Sequence, residues 1–540
     1  MSKKIIIGIA ALAILGGGGY IFTESINSQV ETITSEKLDS YGIKHSSVDY
    51  NMFSQTLKIH DIEATYKEQD KDANISSSIK EITIKGISKD VINNNSFDST
   101  LICDQLSLTD YKIIFSLYGN EELVSTIGHF NVDSPKLNIK ELINLHKTDR
   151  FSEKYFQTIL DFKHNGINYK DINFDIKKGS EDIAQLAIAD FIVAPSESNK
   201  TNIDYNNIAF TADTAKLTIE KFNIKDMALP TAKHLAKLTQ LAMQLNEIEI
   251  SEANQDSTQA LVEYEYLSKE LLLELTKITN IPFASTSIEN VNLTLSELSS
   301  VVTKPISLDK FTINIEETDK NVTLDSSYGN ITIPHEYFTI LPINAVNTLV
   351  ADKFKNGFIL HGTNKKVYDK ETKILNDEST LSANELATIG VKSIAKLLEK
   401  DYAFILTGDT FNSFLLNTNE DLPNAIKLSE VEFSYLDEGL IDFSYLIAEK
   451  TLGMKKEDLK QLLINELEHF KTYSIIEEEN EENIKTQETK DIELVVEKLL
   501  DFLINDKKEF ITNIKFNKPY TFAELLSIDY PEMTLDISTK

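Results

Sequence analysis

The groups in this sequence that can do chemistry are nine histidines, one cysteine and 85 acidic residues. The histidines stand at 45, 60, 129, 146, 164, 234, 335, 361 and 469, and no two share a spacing that would set a pair of imidazoles on one metal ion. Cys103, alone, can close neither an intrachain disulfide nor a zinc motif. It lies in the apolar-alternating run Leu101–Leu108, where a small, buried strand residue is expected. One oxygen-rich spacing is present: Asp70, Asp72, Asn74 and Glu81 match positions 1, 3, 5 and 12 of a calcium loop. Ile75 takes the sixth position, where glycine makes the turn, and the flanks read as strands rather than helices, so an ordinary polar loop is expected. No GxSxG elbow, P-loop or dinucleotide glycine pattern occurs. Paired carboxylates are too common in so acidic a chain to single out any pair. The expectation is a non-enzyme, with no catalytic residue, no metal and no cofactor.

A formal charge of -31 argues against nucleic acid, whose phosphates need a basic face. It argues equally against loose adhesion to anionic lipid headgroups. Hydrophobic content of 41% and charged content of 26% are those of a folded protein. A length of 540 residues suggests several packed units.

The clearest element is the uncharged run Ile5–Phe22, which meets the roughly 18 apolar residues a helix needs to cross a bilayer. Its candidate anchor residues are Ile5, Ile6, Ile7, Ile9, Leu12, Ile14, Leu15, Tyr20, Ile21 and Phe22. Lys3 and Lys4 precede it, while Glu24, Glu31 and Glu36 come before Lys37, so the positive-inside bias leaves the N-terminus in the cytoplasm. Bulky Tyr20, Ile21 and Phe22 stand where a signal peptidase wants small residues. A cytoplasmic tip at 1–4 and a retained transmembrane anchor at 5–23 are therefore expected.

Residues 24–42 carry Ile26, Val30, Ile33 and Leu38 at helical spacing up to Gly42, the pattern of an amphipathic linker helix. From Ile43 the apolar period becomes two. Val48 and Tyr50, then Leu57 and Ile59, flank Asn51–Ser54 as a hairpin would. The same pattern recurs around Ile79–Ile87, Ile167–Ile176, Leu217–Ile224, Ile288–Leu295 and Leu308–Ile315. Each copy is interrupted by a two-residue polar step, where a bend or bulge can sit. One-sided strands in this number imply a long, curved, mainly antiparallel sheet over one apolar surface.

Three helices are expected to cover that sheet. One starts at Pro230 with Leu235, Leu238, Ala242 and Leu245 on a face; another spans Leu267–Leu275. The third follows the capping box Ser382-Ala383-Asn384-Glu385, ahead of Leu386, Ile389 and Leu397. The predicted fold class is α+β and β-dominated, with a β-rich domain over 43–427 and a candidate break near 228–285. A helix-rich C-terminal subdomain is expected over 428–540. There Gly439 opens a helical region, Leu459, Leu462, Leu463, Leu467 and Phe470 share one helix face, and Ile492, Val495, Val496, Leu499 and Leu503 share another. An acidic linker at 477–482 separates them, and a strand at Phe510–Phe516 is closed by Pro519.

A short basic start, one apolar run, Tyr41-Gly42-Ile43 and the hairpin ending Leu57-Lys58-Ile59-His60-Asp61-Ile62 resemble the beginning of AsmA-like and YdgA-like envelope proteins of Gram-negative bacteria. The resemblance covers residues 1–70 and the strand pattern beyond. It departs at Tyr50–Ser54, which lacks the Arg-Gly pair of YdgA-like chains. It implies a TamB-type, β-rich protein anchored in the inner membrane, with its bulk in the periplasm, binding or transferring lipid through an apolar groove. The implied partners are the bilayer, an acyl-chain or lipid ligand and an envelope protein, with no nucleic acid. The alternative is a non-catalytic envelope scaffold with a closed core, because both designs need the same alternating strands.

Overall fold

The computed structural model describes residues 44–67 (except 52 and 53), 74–86, 100–117, 121–138, 152–179 (except 162), 181–196, 200–252, 283–295, 302–340 (except 303), 344–397, 426–476 and 487–540 (except 529), with helical residues in 28–39 and 264–274 described in part. The chain forms two compact units, Met1–Ala284 and Ser285–Lys540.

In the first unit, nine strands form one antiparallel ladder. In spatial order they are β1 (Ser47–Asn51), β2 (Thr56–Lys67), β3 (Asn74–Lys85), β5 (Gln105–Leu117), β6 (Glu121–Asp133), β8 (Gly166–Lys178), β9 (Glu181–Pro195), β10 (Thr201–Ala212) and β11 (Ala215–Met227). The short strands β4 (Thr100–Ile102) and β7 (Lys136–Asn138) pair separately. Helices α1 (Glu153–Leu160) and α2 (Ala232–Glu252) complete the unit. On α2 the buried residues are Ala232, Ala236 and Leu241, while Ala242 of the expected stripe is exposed.

The polar step of each strand has a structural counterpart. Asp61, Asp110, Asp171 and Asn207 sit in the left-handed region, at φ 51°, 50°, 53° and 52°. They belong to β2, β5, β8 and β10, every second strand of the ladder, and register aligns them in one line across it. On either side of that line, pairing remains one to one: His60 faces Glu81 and Ile62 faces Ile79, with no residue inserted. Asp and Asn tolerate this backbone better than β-branched residues because a short polar side chain can bond locally. The effect on side chains is a change of phase. Strand β2 buries Leu57, Ile59 and then Ile62, so the apolar residues stay on one face although the alternation slips by one. The line is a crease that keeps a single apolar face continuous over both halves of each strand.

In the second unit the ladder runs in sequence order through β12 (Ser285–Leu295), β13 (Ile306–Glu317), β14 (Asn321–Ile333), β15 (Phe358–Asp369), β16 (Ile374–Ala383), β17 (Ala387–Leu397), β18 (Ile426–Asp437), β19 (Glu509–Thr521) and β20 (Met533–Thr539). Asn290 repeats the left-handed step in β12, and a bulge between Tyr328 and Ile331 follows in β14. A 3₁₀ turn at His335–Ile340 and α3 (Asn344–Lys353) precede β15; α4 (Leu440–Leu452), α5 (Lys456–Ile476) and α6 (Gln487–Ile504) lie between β18 and β19; α7 (Phe522–Ser527) precedes β20. Because β18 and β19 are hydrogen-bonded neighbours, these three helices form one excursion from a continuous ladder.

Three expectations are corrected. Among the described residues no helix is long and apolar enough to cross a membrane, so neither the transmembrane helix in the expected fold class nor the inner-membrane placement built on it holds for them. The longest described helices, α2 and α5, carry charges well inside their length, Lys237 in α2 and Lys460, Glu466 and Glu468 in α5, and charges at mid-membrane are costly. The run 5–23, with Ile5, Ile6, Ile7, Ile9, Leu12, Ile14, Leu15, Tyr20, Ile21 and Phe22, lies outside the described residues. Second, Ser382–Glu385 caps no helix. Asn384 and Glu385 turn between β16 and β17, with Glu385 at φ 60°, and Ile389 and Leu397 lie in β17, which pairs on both sides. Third, Pro519 lies inside β19, beyond the stretch that β20 covers and in the irregular stretch of the β18–β19 register between Lys515 and Tyr520, a bulge of the kind that admits proline.

Candidate functional site

The residues with chemical potential are dispersed. His60 Nε2 lies 2.9 Å from Asp49, and Lys58 Nζ reaches both Glu81 carboxylate oxygens at 3.1 and 3.0 Å. Thr83 donates to Glu81 at 2.7 Å, and this bond, followed by Lys58, holds the Glu81 carboxyl below the usual range. Asn74 and Glu81 of the calcium-like spacing thus lie along one strand, β3, while Asp70 and Asp72 lie outside the described residues. His45 bonds Ser35 at 2.7 Å, His335 pairs with Glu336 at 3.4 Å, and His234 lies 4.0 Å from the buried Glu274. His146 lies outside the described residues. Among the described residues no three His, Cys, Asp or Glu converge on a common metal position. Cys103 is buried between β4 and β5, and burial, reinforced by Asp104, pushes its thiol up to about 11.

The sheet faces offer more. In the first unit two apolar rows flank the crease, set by register. One is Ile59, Ile82, Leu108, Phe130, Tyr169, Phe191, Tyr205 and Phe222; the other is Ile62, Ile79, Tyr111, Ile127, Ile172, Ile188, Ile208 and Ile219. The rings of Tyr169, Phe191, Tyr205 and Phe222 stack at 5.4, 4.6 and 5.6 Å with interplanar angles of 21°, 15° and 11°. Their π-faces are spent on one another, so they are no platform for stacking a sugar or a base. Burial raises the Tyr169 and Tyr205 phenols above their ordinary value. Farther from the crease the face opens: Phe174 and Phe210, joined through Leu186, are both exposed, as is Ile176.

The second unit has a more sharply bounded opening. Leu381 of β16 faces Ile389 of β17, and Val391 of β17 faces Phe433 of β18. Their exposures are 42, 38, 40 and 39%. Both ends of this strip are sealed. At one end Ala383 and Phe358 pack with Val350, Phe354, Leu386 and Phe443, contributed by α3, the β16–β17 turn and α4. At the other, Tyr368, Leu375 and Leu397 form a buried cluster with Ile426 against it. Between the seals lies an apolar window on β16–β18.

The opposite, charged face carries a depression of about 330 Å³ lined by Lys365, Glu378, Lys392, Glu430 and Glu432 among others. Lys392 sits 3.5 Å from both Glu378 and Glu432, its register neighbours. These two carboxylates raise the Lys392 ammonium above its ordinary value. The row is an ion-pair ladder on a wet surface.

Alternation in the sequence marked which residues share a face. No sequence signal marked the window, because it exists only where covering elements stop. No family model matches this chain, and none of the curated proteins matches it.

Proposed function

We propose that this protein binds an acyl-chain amphiphile on the apolar face of its sheet. The observation that supports this is the window itself: four large apolar side chains, contiguous by register and each more than a third exposed, lie between two sealed clusters. A contiguous apolar patch that the fold leaves uncovered marks an interaction site far more often than scattered exposed residues do. An uncovered strip of aliphatic and aromatic groups suits a flexible hydrocarbon chain. The open strip Phe174–Phe210 in the first unit offers the same chemistry.

The test is direct. The full chain is titrated with a fluorescent fatty acid, and native mass spectrometry looks for co-purified lipid. Saturable binding that Val391→Asp and Phe433→Asp abolish, without changing the circular dichroism, is the expected result. Absence of both binding and co-purified lipid overturns the reading.

The interaction-protein reading also has a specific observation in its favour. Helix α5 leaves Leu462, Leu463 and Phe470 exposed, burying Leu459 from the same stripe. In-cell crosslinking from Phe470 to a defined protein would favour that reading, and its absence would count against it.

A further inference from the structure

We infer that the apolar window of the second unit ends in a subsite for a zwitterionic head, one carrying both an ammonium and an anionic group. This inference rests on the amphiphile-binding reading above. The face that carries Leu381, Val391 and Phe433 is interrupted by polar residues just where it meets the Tyr368–Leu375–Leu397 seal. Register puts Asn364 opposite Ser379, Ser379 opposite Val391, and Val391 opposite Phe433, so polar and apolar groups share one transverse row. The next row toward the seal holds Lys366, Asp377 and Ser393, again direct register neighbours. Along β16 the sequence of environments is therefore Leu375 sealed, Asp377 and Ser379 polar, Leu381 open.

These polar groups are organised. Asn364 Nδ2 donates to Asp377 Oδ1 at 2.9 Å and to Ser379 Oγ at 2.5 Å. Ser379 Oγ donates to the same Asp377 oxygen at 3.3 Å, and Ser326 Oγ donates to the Asn364 carbonyl at 3.4 Å. Asp377 Oδ1 is thereby fixed from two sides, which aims Oδ2 at Lys366. The Lys366 ammonium stops 3.9 Å from Oδ2, beyond hydrogen-bond distance. Both groups are largely withdrawn from water, at 20 and 28% exposure, yet neither spends its full hydrogen-bonding capacity on the other. Polar groups placed on an apolar face are costly unless matched.

A ligand head can supply the match. An ammonium bonds Asp377 Oδ2, an adjacent phosphate or carboxylate bonds Lys366 Nζ, and the chain runs over Val391, Leu381 and Phe433. A purely anionic head meets Lys366 but is repelled by Asp377, so the pair selects for a zwitterion. An apolar pocket with a few convergent polar groups is the usual design for holding an amphiphile in one orientation.

The experiment uses the full chain, isothermal calorimetry and two monomeric probes with identical tails, dihexanoyl phosphatidylethanolamine and dihexanoyl phosphatidylglycerol. Wild-type protein is expected to prefer the ethanolamine head by about tenfold, the scale of one charge-assisted hydrogen bond. Asp377→Asn should erase that preference, weakening the ethanolamine lipid by loss of its ammonium partner and raising the glycerol lipid's affinity as the repulsion is removed, and Lys366→Gln should weaken both. Should Asp377→Asn fail to fold, the comparison of the two heads in wild type and in Lys366→Gln carries the test. Equal affinity for both heads in wild type, or an unchanged preference in Asp377→Asn, overturns the subsite while leaving the acyl-binding reading intact. No binding of either probe, together with no fatty-acid binding, overturns both.

Discussion

Gly128 of β6 lies against Asp171 of β8 so closely that a Cβ on Gly128 would stand 3.0 Å from the Asp171 Cβ. Asp171 occupies the left-handed region at φ 53°, so its side chain leaves the strand at an angle that takes up the space over the neighbouring strand. Glycine at 128 is the sequence's answer to that intrusion. The two residues stand opposite each other on the line along which the sheet of the first unit creases.

From this pair follows a first prediction. Asp171→Val should destabilise the first unit by about 2 kcal/mol, because a β-branched residue at positive φ is strained. Asp171→Gly should cost far less. Urea midpoints of the two variants, measured by circular dichroism, check the order; equal midpoints would contradict the crease as described.

A second prediction concerns Gly362 of β15, which faces Tyr328 of β14. A Cβ on Gly362 would collide with the Tyr328 hydroxyl and lie 2.6 Å from the Thr380 carbonyl oxygen. Gly362→Ala should therefore cost about 1–3 kcal/mol by overpacking. Removing the ring as well, in Tyr328→Ala/Gly362→Ala, should relieve only part of the clash, since the Thr380 carbonyl belongs to the backbone. A double-mutant cycle from thermal melts measures the coupling.

Cys103 sets a pH dependence. Burial raises its thiol from the ordinary value near 9.0 to about 11 in the folded state. Between those values the unfolded chain has lost the proton and the folded chain still holds it, so stability falls as pH rises from about 9 to about 11. Cys103→Ala should remove this part of the slope, read from denaturant midpoints over that range. The protonated, buried thiol should also react with iodoacetamide far more slowly than the same cysteine in unfolded protein.

Lys392 sits between Glu378 and Glu432 with 56% of its side chain exposed. Its ion pairs should be worth under about 1 kcal/mol and weaken with salt. Lys392→Met is expected to shift the melting temperature by only a few degrees at low salt and by less at high salt. A large, salt-insensitive loss would show that the ladder carries more structure than a solvated surface row.

Much of the strand architecture was legible in the sequence because its cause is local. A side chain on a strand points to alternate faces whatever the rest of the chain does, so Leu57, Ile59 and Ile62 announced both the buried face and the step between them. The step was visible as His60-Asp61, and the left-handed Asp61 is what that step becomes. Aligning it with Asp110, Asp171 and Asn207 required the register, which long-range pairing sets. Local signals failed where pairing overruled them. Ser382–Glu385 has the residues of a helix cap, yet Ile389 and Val391 gain more from β16 and β18 on either side than a single helix face would give. The window was decided by tertiary structure alone. Leu381, Ile389, Val391 and Phe433 alternate like any core strand residues, and they stay exposed only because α3 and α4 seal one end of the face and Tyr368, Leu375 and Leu397 the other. Periodicity fixes which face is apolar; where the covering elements stop is fixed by the packing of residues far apart in the chain.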